Sequence, residues 1–274
     1  MANNSDLHAP AAVLTTHVLD MGTGSPGSGM RITLVEVEGT STRCVAEVTT
    51  NADGRCDAPL LTSDTARTGT YRLEFDVGGY LRGQDTFFDI VPIEFQIADI
   101  AGHYHVPLVL APWGYSTYRG APPSRAPDDG GEWNAGLSGQ DETASTDPPP
   151  APGSASPGMT THVIDIARGC GAGGLAVDVV KLDGEGGSGT PIRTCITTAE
   201  GRTSEWLVPP GDLEVGVYEL GFRLGDYFRH AGFGTGATPF ISVARVRFQV
   251  SDPNAHLHIP LLAAPWGYTT YRGS

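Results

Sequence analysis

The chain has 274 residues, with 31 acidic and 17 basic side chains and a formal net charge of −14 at pH 7. This balance argues against a nucleic-acid partner, which requires a basic surface to displace counterions from phosphates. Lys181 is the one lysine, so a polybasic membrane-binding patch is also disfavoured. The hydrophobic content of 39% suffices for a core, and the length suits one large domain or two small ones.

The chain contains an internal duplication. The motif LTTHVLD at 14–20 recurs as MTTHVID at 159–165, and the segment at 103–120 recurs at 256–273 with 13 of 18 positions identical. Between these motifs, an acid-Gly-Arg turn ends at Arg55 in the first copy and at Arg202 in the second. Counterparts keep the same order and lie 145 to 153 positions apart, which indicates a tandem repeat.

The two copies are separated by a segment of different composition. Residues 121–158 hold eight prolines and six acidic residues against one arginine, which is typical of a flexible linker that cannot form a core. We therefore divide the chain into a disordered head at 1–12, repeat one at 13–120, the linker at 121–158 and repeat two at 159–274.

Each repeat shows the two-residue alternation of β-strands. In chain order, alternating stretches occupy 31–38, 71–77 and 93–99, then 217–224 and 244–252. Short helices are predicted at 79–84 and 226–230, and the Gly-rich stretch 230–240 is predicted to be a longer surface loop. The predicted fold is all-β: two antiparallel β-sandwiches, each with seven or eight strands and one short helix, joined by the linker.

Histidines recur near the end of each repeat as His103 and His105, and as His256 and His258. A spacing of two on a strand places both imidazoles on one face, about 7 Å apart. That arrangement is compatible with acid–base catalysis, with metal ligation, or with a solvent-facing polar strip.

Other recurring polar residues are His17 and His162 on the opening strands, and Arg55 and Arg202 after the turns. A strand histidine or a hairpin arginine is often only structural, yet a guanidinium can also hold a planar acceptor or an oxyanion. Histidine with arginine fits addition of water to a polarised carbonyl.

At these residues the sequence resembles the transthyretin-related 5-hydroxyisourate hydrolases. The motifs that carry the resemblance are TTHVLD at 15–20, Gly54-Arg55 and HYHVPLVLAPWGYSTYRG at 103–120, with their counterparts in repeat two. The resemblance implies hydrolysis of the N1–C6 bond of 5-hydroxyisourate in urate degradation, giving 2-oxo-4-hydroxy-4-carboxy-5-ureidoimidazoline. It implies no cofactor and no bound metal, and a homodimer of tandem chains that forms a pseudo-tetramer.

The resemblance also implies the site residues of each repeat. The catalytic residues would be His17, Arg55 and His105 in repeat one and His162, Arg202 and His258 in repeat two. The substrate-binding residues would be Tyr118, Arg119, Tyr271, Arg272 and Ser274, with His103 and His256 in support. Repeat one runs on into Ala121 where repeat two ends in Ser274, so the two sites are expected to differ.

Two alternative functions stay open at this stage. One is a transthyretin-like ligand-binding module, and the other is a zinc hydrolase that uses His17, His103 and His105 as ligands.

The cellular location is expected to be cytoplasmic. The first residues lack a charged segment followed by an apolar run, and the four cysteines do not recur at matching places in the two repeats.

Overall fold

The computed structural model describes residues 11–120, 157–183, 189–233 and 239–273. The head up to residue 10, linker residues 121–156 and Ser274 lie outside the described residues. Strands dominate the described part, which confirms the all-β prediction. No helix in the described ranges is long and apolar enough to span a bilayer.

Repeat one consists of strands and one helical turn. The strands are β1 (Ala12–Thr15), β2 (Val18–Asp20), β3 (Ser25–Pro26), β4 (Arg31–Glu38), β5 (Ser41–Thr49), β6 (Leu61–Thr62), β7 (Gly69–Asp76), β8 (Ile90–Ile97), β9 (Tyr104–His105), β10 (Leu108–Ala111) and β11 (Gly114–Tyr118), and the helix is α1 (Val77–Tyr80).

Repeat two follows the same order. Its strands are β12 (Gly158–Thr160), β13 (Val163–Asp165), β14 (Cys170–Gly171), β15 (Ala176–Leu182), β16 (Gly189–Ile196), β17 (Gly216–Phe222), β18 (Ala244–Val250), β19 (His256–His258), β20 (Leu261–Ala264) and β21 (Gly267–Tyr271), and its helix is α2 (Leu224–His230).

The long strands form one antiparallel sheet in each repeat, in the order β5-β4-β7-β8 and β16-β15-β17-β18. The alternation that predicts these strands reflects their burial, because every second side chain of β7 from Tyr71 to Phe75 is fully enclosed. The strand predicted at 31–38 is confirmed as β4. The helices begin two residues before their predicted starts, at Val77 and Leu224.

The shorter strands of both repeats join in one eight-stranded sheet, in the order β14-β13-β20-β21-β11-β10-β2-β3. Its centre is the antiparallel pair β11 and β21, in which Ser116 lies opposite Thr269 and their hydroxyls are 2.8 Å apart. Ser116 and Thr269 occupy matching positions in the two repeats, so a pseudo-two-fold axis passes between them. The two repeats therefore pair as a dimer within one chain.

Aromatic side chains bury the contact between the repeats. Phe87 of repeat one stacks on Phe248 of repeat two with centroids 4.9 Å apart, and Phe240 packs on Phe95 at 5.8 Å. Phe240 closes the stretch 230–240 that was predicted to be a surface loop. That prediction is wrong at Phe240, which is 3% exposed because it fills a place between the repeats.

Candidate functional site

His17 and Arg55 meet at a break in the opening strand of repeat one. His17 was predicted within a strand, but it lies between β1 and β2 and forms an isolated antiparallel bridge with Arg55. The turn before Arg55 is held by a hydrogen bond from Val18 N to Gly54 O of 2.8 Å. Gly54 has φ of +71°, and a Cβ there would lie 2.4 Å from Val18 O, so this position requires glycine. The acid-Gly turn thus places the arginine beside the histidine.

The same arrangement recurs in repeat two, where His162 bridges Arg202. Gly201 has φ of +79°, and its carbonyl oxygen accepts a hydrogen bond of 2.8 Å from Val163 N, as Gly54 O does from Val18 N in repeat one. The Nε2 atom of His162 lies 2.9 Å from the carbonyl oxygen of Glu200. A carbonyl only accepts, so the Nε2 atom carries the hydrogen and the Nδ1 atom of the neutral ring keeps a lone pair.

The two later histidines of repeat one are held by a shared threonine. Parallel pairing of β1 with β9 places Thr15 opposite His105. The hydroxyl of Thr15 lies 3.0 Å from His105 Nδ1 and 3.2 Å from His103 Nε2. Both rings therefore lie on one face, as the two-residue spacing predicts.

Repeat two reproduces this triplet closely. Thr160 Oγ1 is 3.0 Å from both His256 Nε2 and His258 Nδ1, and the two ring centroids are 6.3 Å apart. A hydroxyl has one hydrogen, so it donates to one histidine at most and accepts from the other. The threonine therefore couples the protonation sites of its two histidines.

Burial and the arginines lower the pKa of two histidines in each repeat, His17 and His105 in repeat one and His162 and His258 in repeat two. The pKa values of His17 and His105 are lowered first by burial and then by the positive charge of Arg55. In repeat two, burial and then Arg202 lower the pKa of His258 to about 4. Each repeat therefore combines one permanent cation with two imidazoles whose lowered pKa values keep them in the basic form at neutral pH.

The end of each repeat folds back onto its second paired histidine. Gly120 N donates to His105 O at 2.8 Å, and a Cβ on Gly120 would lie 2.7 Å from His105 Cδ2. Gly273 repeats this contact, with its N 2.7 Å from His258 O and a Cβ position 2.7 Å from His258 Cδ2. The glycine of the YRG motif is therefore needed for close approach to the histidine.

The predicted substrate-binding residues at the repeat ends separate into two groups. Tyr118 and Tyr271 are exposed on the outer face of the eight-stranded sheet. The guanidinium of Arg119 instead lies 4.5 Å from the ring centroid of Tyr104 and 5.5 Å from that of Trp266. These contacts are structural, and substrate contact by Arg119 remains a prediction.

Arg272 is placed in the same way, 5.7 Å from the ring centroid of Phe87 and 5.4 Å from that of Trp113. Cation–π contacts of this kind stabilise the junction of the repeats. Ser274 lies outside the described residues, and its role in substrate binding stays a prediction.

Four residues of the cluster were not singled out as site residues from the sequence: Thr15, Thr160, Gly120 and Gly273. Their presence in both copies of the TTH and YRG motifs is the signal that could have found them. Within the described ranges, no three His, Cys, Asp or Glu side chains are grouped so that they could hold a metal ion.

Comparison with known proteins places both repeats in one family. The model of the HIUase/transthyretin family matches residues 14–120 and 159–273, which together make up most of the chain. The chain belongs to the HIUase/transthyretin family. The family resemblance read from the TTH, GR and YRG motifs is thereby confirmed.

Relatives within the HIUase/transthyretin family have about the length of one repeat of this chain. A 5-hydroxyisourate hydrolase of Mesorhizobium japonicum is 53% identical over 114 residues, which are 39% of this chain and 91% of the relative. That of Deinococcus radiodurans is 48% identical over 113 residues, with 39% and 95% coverage. The mouse enzyme is 43% identical over 112 residues, with 39% and 94% coverage.

Proposed function

We propose that this protein hydrolyses 5-hydroxyisourate at the N1–C6 bond, giving 2-oxo-4-hydroxy-4-carboxy-5-ureidoimidazoline. One observation carries the proposal: a histidine–arginine–histidine cluster is built twice, by the same backbone contacts, in two repeats similar to 5-hydroxyisourate hydrolases. The substrate is a small molecule with carbonyl groups, which suits a guanidinium beside imidazoles of lowered pKa.

The proposed role of Arg202, and of Arg55 in repeat one, is to bind the substrate and stabilise the oxyanion. Water adds to the C6 carbonyl carbon, and negative charge develops on the carbonyl oxygen. A guanidinium held beside the histidines by a bridged backbone needs little reorganisation to meet that charge. The lowered pKa values of the neighbouring histidines keep the cluster from accumulating further positive charge.

The proposed general base is His258, with His105 as its counterpart. For Nε2 of His258 to take a proton from water, the neutral ring must carry its hydrogen on Nδ1, which then donates to Thr160. The hydroxyl hydrogen of Thr160 is then directed to Nε2 of His256. Thr160 and Thr15 are therefore proposed positioning residues that set the tautomer of the base.

The proposed role of His162 is to orient the attacking water. Its Nε2–H donates to the carbonyl oxygen of Glu200, so its Nδ1 atom keeps a lone pair that can accept a hydrogen bond from water. The proton that His258 removes from water then passes to N1 as the C6–N1 bond breaks, and the base returns to its neutral form. His17, whose pKa is lowered by burial and by Arg55 and whose ring is hydrogen-bonded to the backbone of Asp53, takes the same role in repeat one.

We also propose that two chains associate through the outer face of the eight-stranded sheet and form a pseudo-tetramer. Alternation along the strands turns Leu19, Val109 and Leu262 away from the core, and all three are only half-buried. The exposed rings of Tyr118 and Tyr271 lie on the same face. A second chain on this face would cover these apolar groups and bring the tyrosines against the opposite sites.

The proposed location is the cytoplasm. Each of the four cysteines is free in the structure, and two of them, Cys56 and Cys195, are partly buried with raised thiol pKa values. Inert, protonated thiols suit a reducing compartment.

The function is tested by generating 5-hydroxyisourate in situ with urate oxidase and following its ultraviolet absorbance. The purified protein should accelerate the decay well above the spontaneous rate, and a chelator should leave the rate unchanged. No acceleration contradicts the proposed function. Loss of rate with the chelator, restored by zinc, favours the zinc-hydrolase alternative.

A further inference from the structure

A chain of buried and half-buried charges crosses the junction between the two repeats. It alternates in sign from repeat one to repeat two, and its members are Glu74, Arg72, Glu94, Arg245, Glu219 and Arg247. We call these six residues the junction charge cluster. Glu94, Glu219 and Arg247 are each at most 7% exposed, so these three charges have little access to solvent.

One ion pair of the cluster joins the repeats. Nε of Arg245 in repeat two lies 2.8 Å from Oε2 of Glu94 in repeat one, and its second nitrogen lies 2.9 Å from Oε1 of Glu219. Glu219 also pairs with Arg247 at 2.9 Å. Arg72 lies 3.8 Å from Glu94 on the other side. Removal of either partner of the joining pair would leave a buried charge with reduced compensation.

The pseudo-two-fold axis shows which positions correspond across the junction. Gln96 N donates to Phe240 O at 2.8 Å, and Gln249 N donates to Phe87 O at 3.2 Å, so the two bonds are exchanged by the axis. The same correspondence places Arg247 at the position of Glu94. Strand pairing sets Arg72 opposite Glu94 in repeat one and Glu219 opposite Arg247 in repeat two.

The charges at corresponding positions are therefore reversed between the repeats. Arg72 corresponds to Glu219, Glu94 corresponds to Arg247, and Arg245 corresponds to Pro92, which carries no charge. The backbone bonds of the junction and the stacks of Phe87 on Phe248 and of Phe240 on Phe95 recur from either side. The stack of Phe240 on Tyr104 does not recur, because Leu257 occupies the matching position. The charge reversal therefore separates two faces that share their backbone contacts.

The charges would no longer balance if one repeat paired with its own copy. The mixed pair has three arginines and three glutamates in the cluster, whereas two copies of repeat one would have two arginines against four glutamates. Two copies of repeat two would have four arginines against two glutamates, with each Arg245 directed at Arg247 of the other copy. The nearby carboxylate of Asp178 is already engaged by Arg223 at 2.8 Å. Like charges brought together in a buried interface destabilise it.

We propose that the junction charge cluster makes each repeat selective for the other repeat and excludes pairing of a repeat with its own copy. The partner of the face formed by β8 and β11 is then repeat two, from the same chain or from a second chain. A tandem protein with this property assembles with one repeat of each kind in every dimer. This selectivity does not depend on the reaction that the sites perform.

The proposal is tested on the whole protein, with a protease site inserted within residues 121–156 and cleavage after folding. The cut protein is unfolded and refolded as a mixture of the two halves, and native mass spectrometry distinguishes the pairs by mass. Mixed pairs should exceed each kind of self-pair by at least tenfold. A statistical ratio of about 1:2:1 for pairs of repeat one, mixed pairs and pairs of repeat two would overturn the proposal.

The variant Glu94→Gln with Arg245→Gln provides the matched control. It leaves two arginines and two glutamates in the mixed pair and in both self-pairs, so charge no longer favours one pairing. The double variant should therefore approach the statistical ratio. Continued exclusion of self-pairs by the double variant would show that shape, not charge, selects the partner.

A second measurement uses the uncut chain and does not depend on refolding. Thermal unfolding of the two single variants and of the double variant forms a double-mutant cycle. Because each single change leaves its partner charge less compensated, the loss in Tm of the double variant should be about 2–6 °C smaller than the sum of the single losses. Additive losses would contradict the coupling on which the proposal depends. Arg43→Glu, at an exposed arginine paired with Glu36, is the control for nonspecific effects of a charge change.

Discussion

The contact between the tail of repeat two and its proposed base predicts a large effect of one methyl group. A Cβ added at Gly273 would lie 2.7 Å from His258 Cδ2 and 3.2 Å from His258 Cβ. Non-bonded carbons prefer about 3.5–4.0 Å, so the ring or the tail must move by about 1 Å. The tail is fixed on both sides, by Gly273 N to His258 O at 2.7 Å and by Arg272 N to Trp113 O at 2.8 Å.

We therefore expect Gly273→Ala to lower kcat/KM of repeat two by about 100-fold, because a displacement near 1 Å at a catalytic group has an effect of that size. This corresponds to about 2.7 kcal/mol of transition-state stabilisation. The assay is the ultraviolet decay of 5-hydroxyisourate, in an Arg55→Ala background so that repeat two is observed alone.

The matched control is Gly221→Ala, since a Cβ at Gly221 finds only ordinary contacts of 3.5 Å or more. That variant should keep kcat/KM within about twofold, because a well-accommodated methyl group displaces nothing. If Gly273→Ala also keeps its rate within twofold, with an unchanged Tm, the tail does not position the histidine and the reasoning is refuted.

Three further predictions concern the same repeat, each in the Arg55→Ala background. Thr160→Val should lower kcat about tenfold or more, because it removes the hydroxyl that sets the tautomer of His258. Thr160→Ser keeps a hydroxyl and should restore kcat. Equal values of kcat for the two variants would show that the threonine has no positioning role. The pKa of His258 is lowered to about 4, and its neutral ring is the proposed base. The value of kcat/KM should therefore stay level as the pH falls from 7 to about 5 and should decline only below pH 5. Loss of half of kcat/KM near pH 6.5 would instead assign the base to a histidine with an ordinary pKa. Tyr227→Phe removes the 2.9 Å hydrogen bond to buried Asp165 and should lower the free energy of unfolding by about 1–2 kcal/mol, measured by thermal unfolding. The same variant should leave kcat/KM unchanged in the 5-hydroxyisourate assay.

The fold was predictable where burial leaves a periodic signal. The strand at 31–38 and the pattern of the β7 strand follow directly from alternation. The edge strand Ser41–Thr49 was not predicted, because most of its side chains are exposed and its sequence therefore lacks an apolar period. The burial of Phe240 was not predictable either, since it depends on the second repeat packing across the junction.

The candidate site was also predictable only in part. Side chains with their own chemistry, such as His105 and Arg55, were apparent from the sequence as recurring polar residues. Thr15 and Gly120 act through a bifurcated hydroxyl contact and through the absence of a Cβ, and both effects require coordinates to be seen. Arg119 directly follows Tyr118 in the YRG motif yet lies against aromatic rings, where its backbone N donates to Trp266 O at 2.7 Å.

The most direct test of the account compares Arg55→Ala, Arg202→Ala and the double variant in the 5-hydroxyisourate assay. Each single variant should retain the activity of its intact repeat, and the double variant should fall to the spontaneous rate while keeping the Tm within a few degrees of the parent. A double variant that still accelerates the decay would contradict the assignment of the histidine–arginine clusters as the hydrolytic sites.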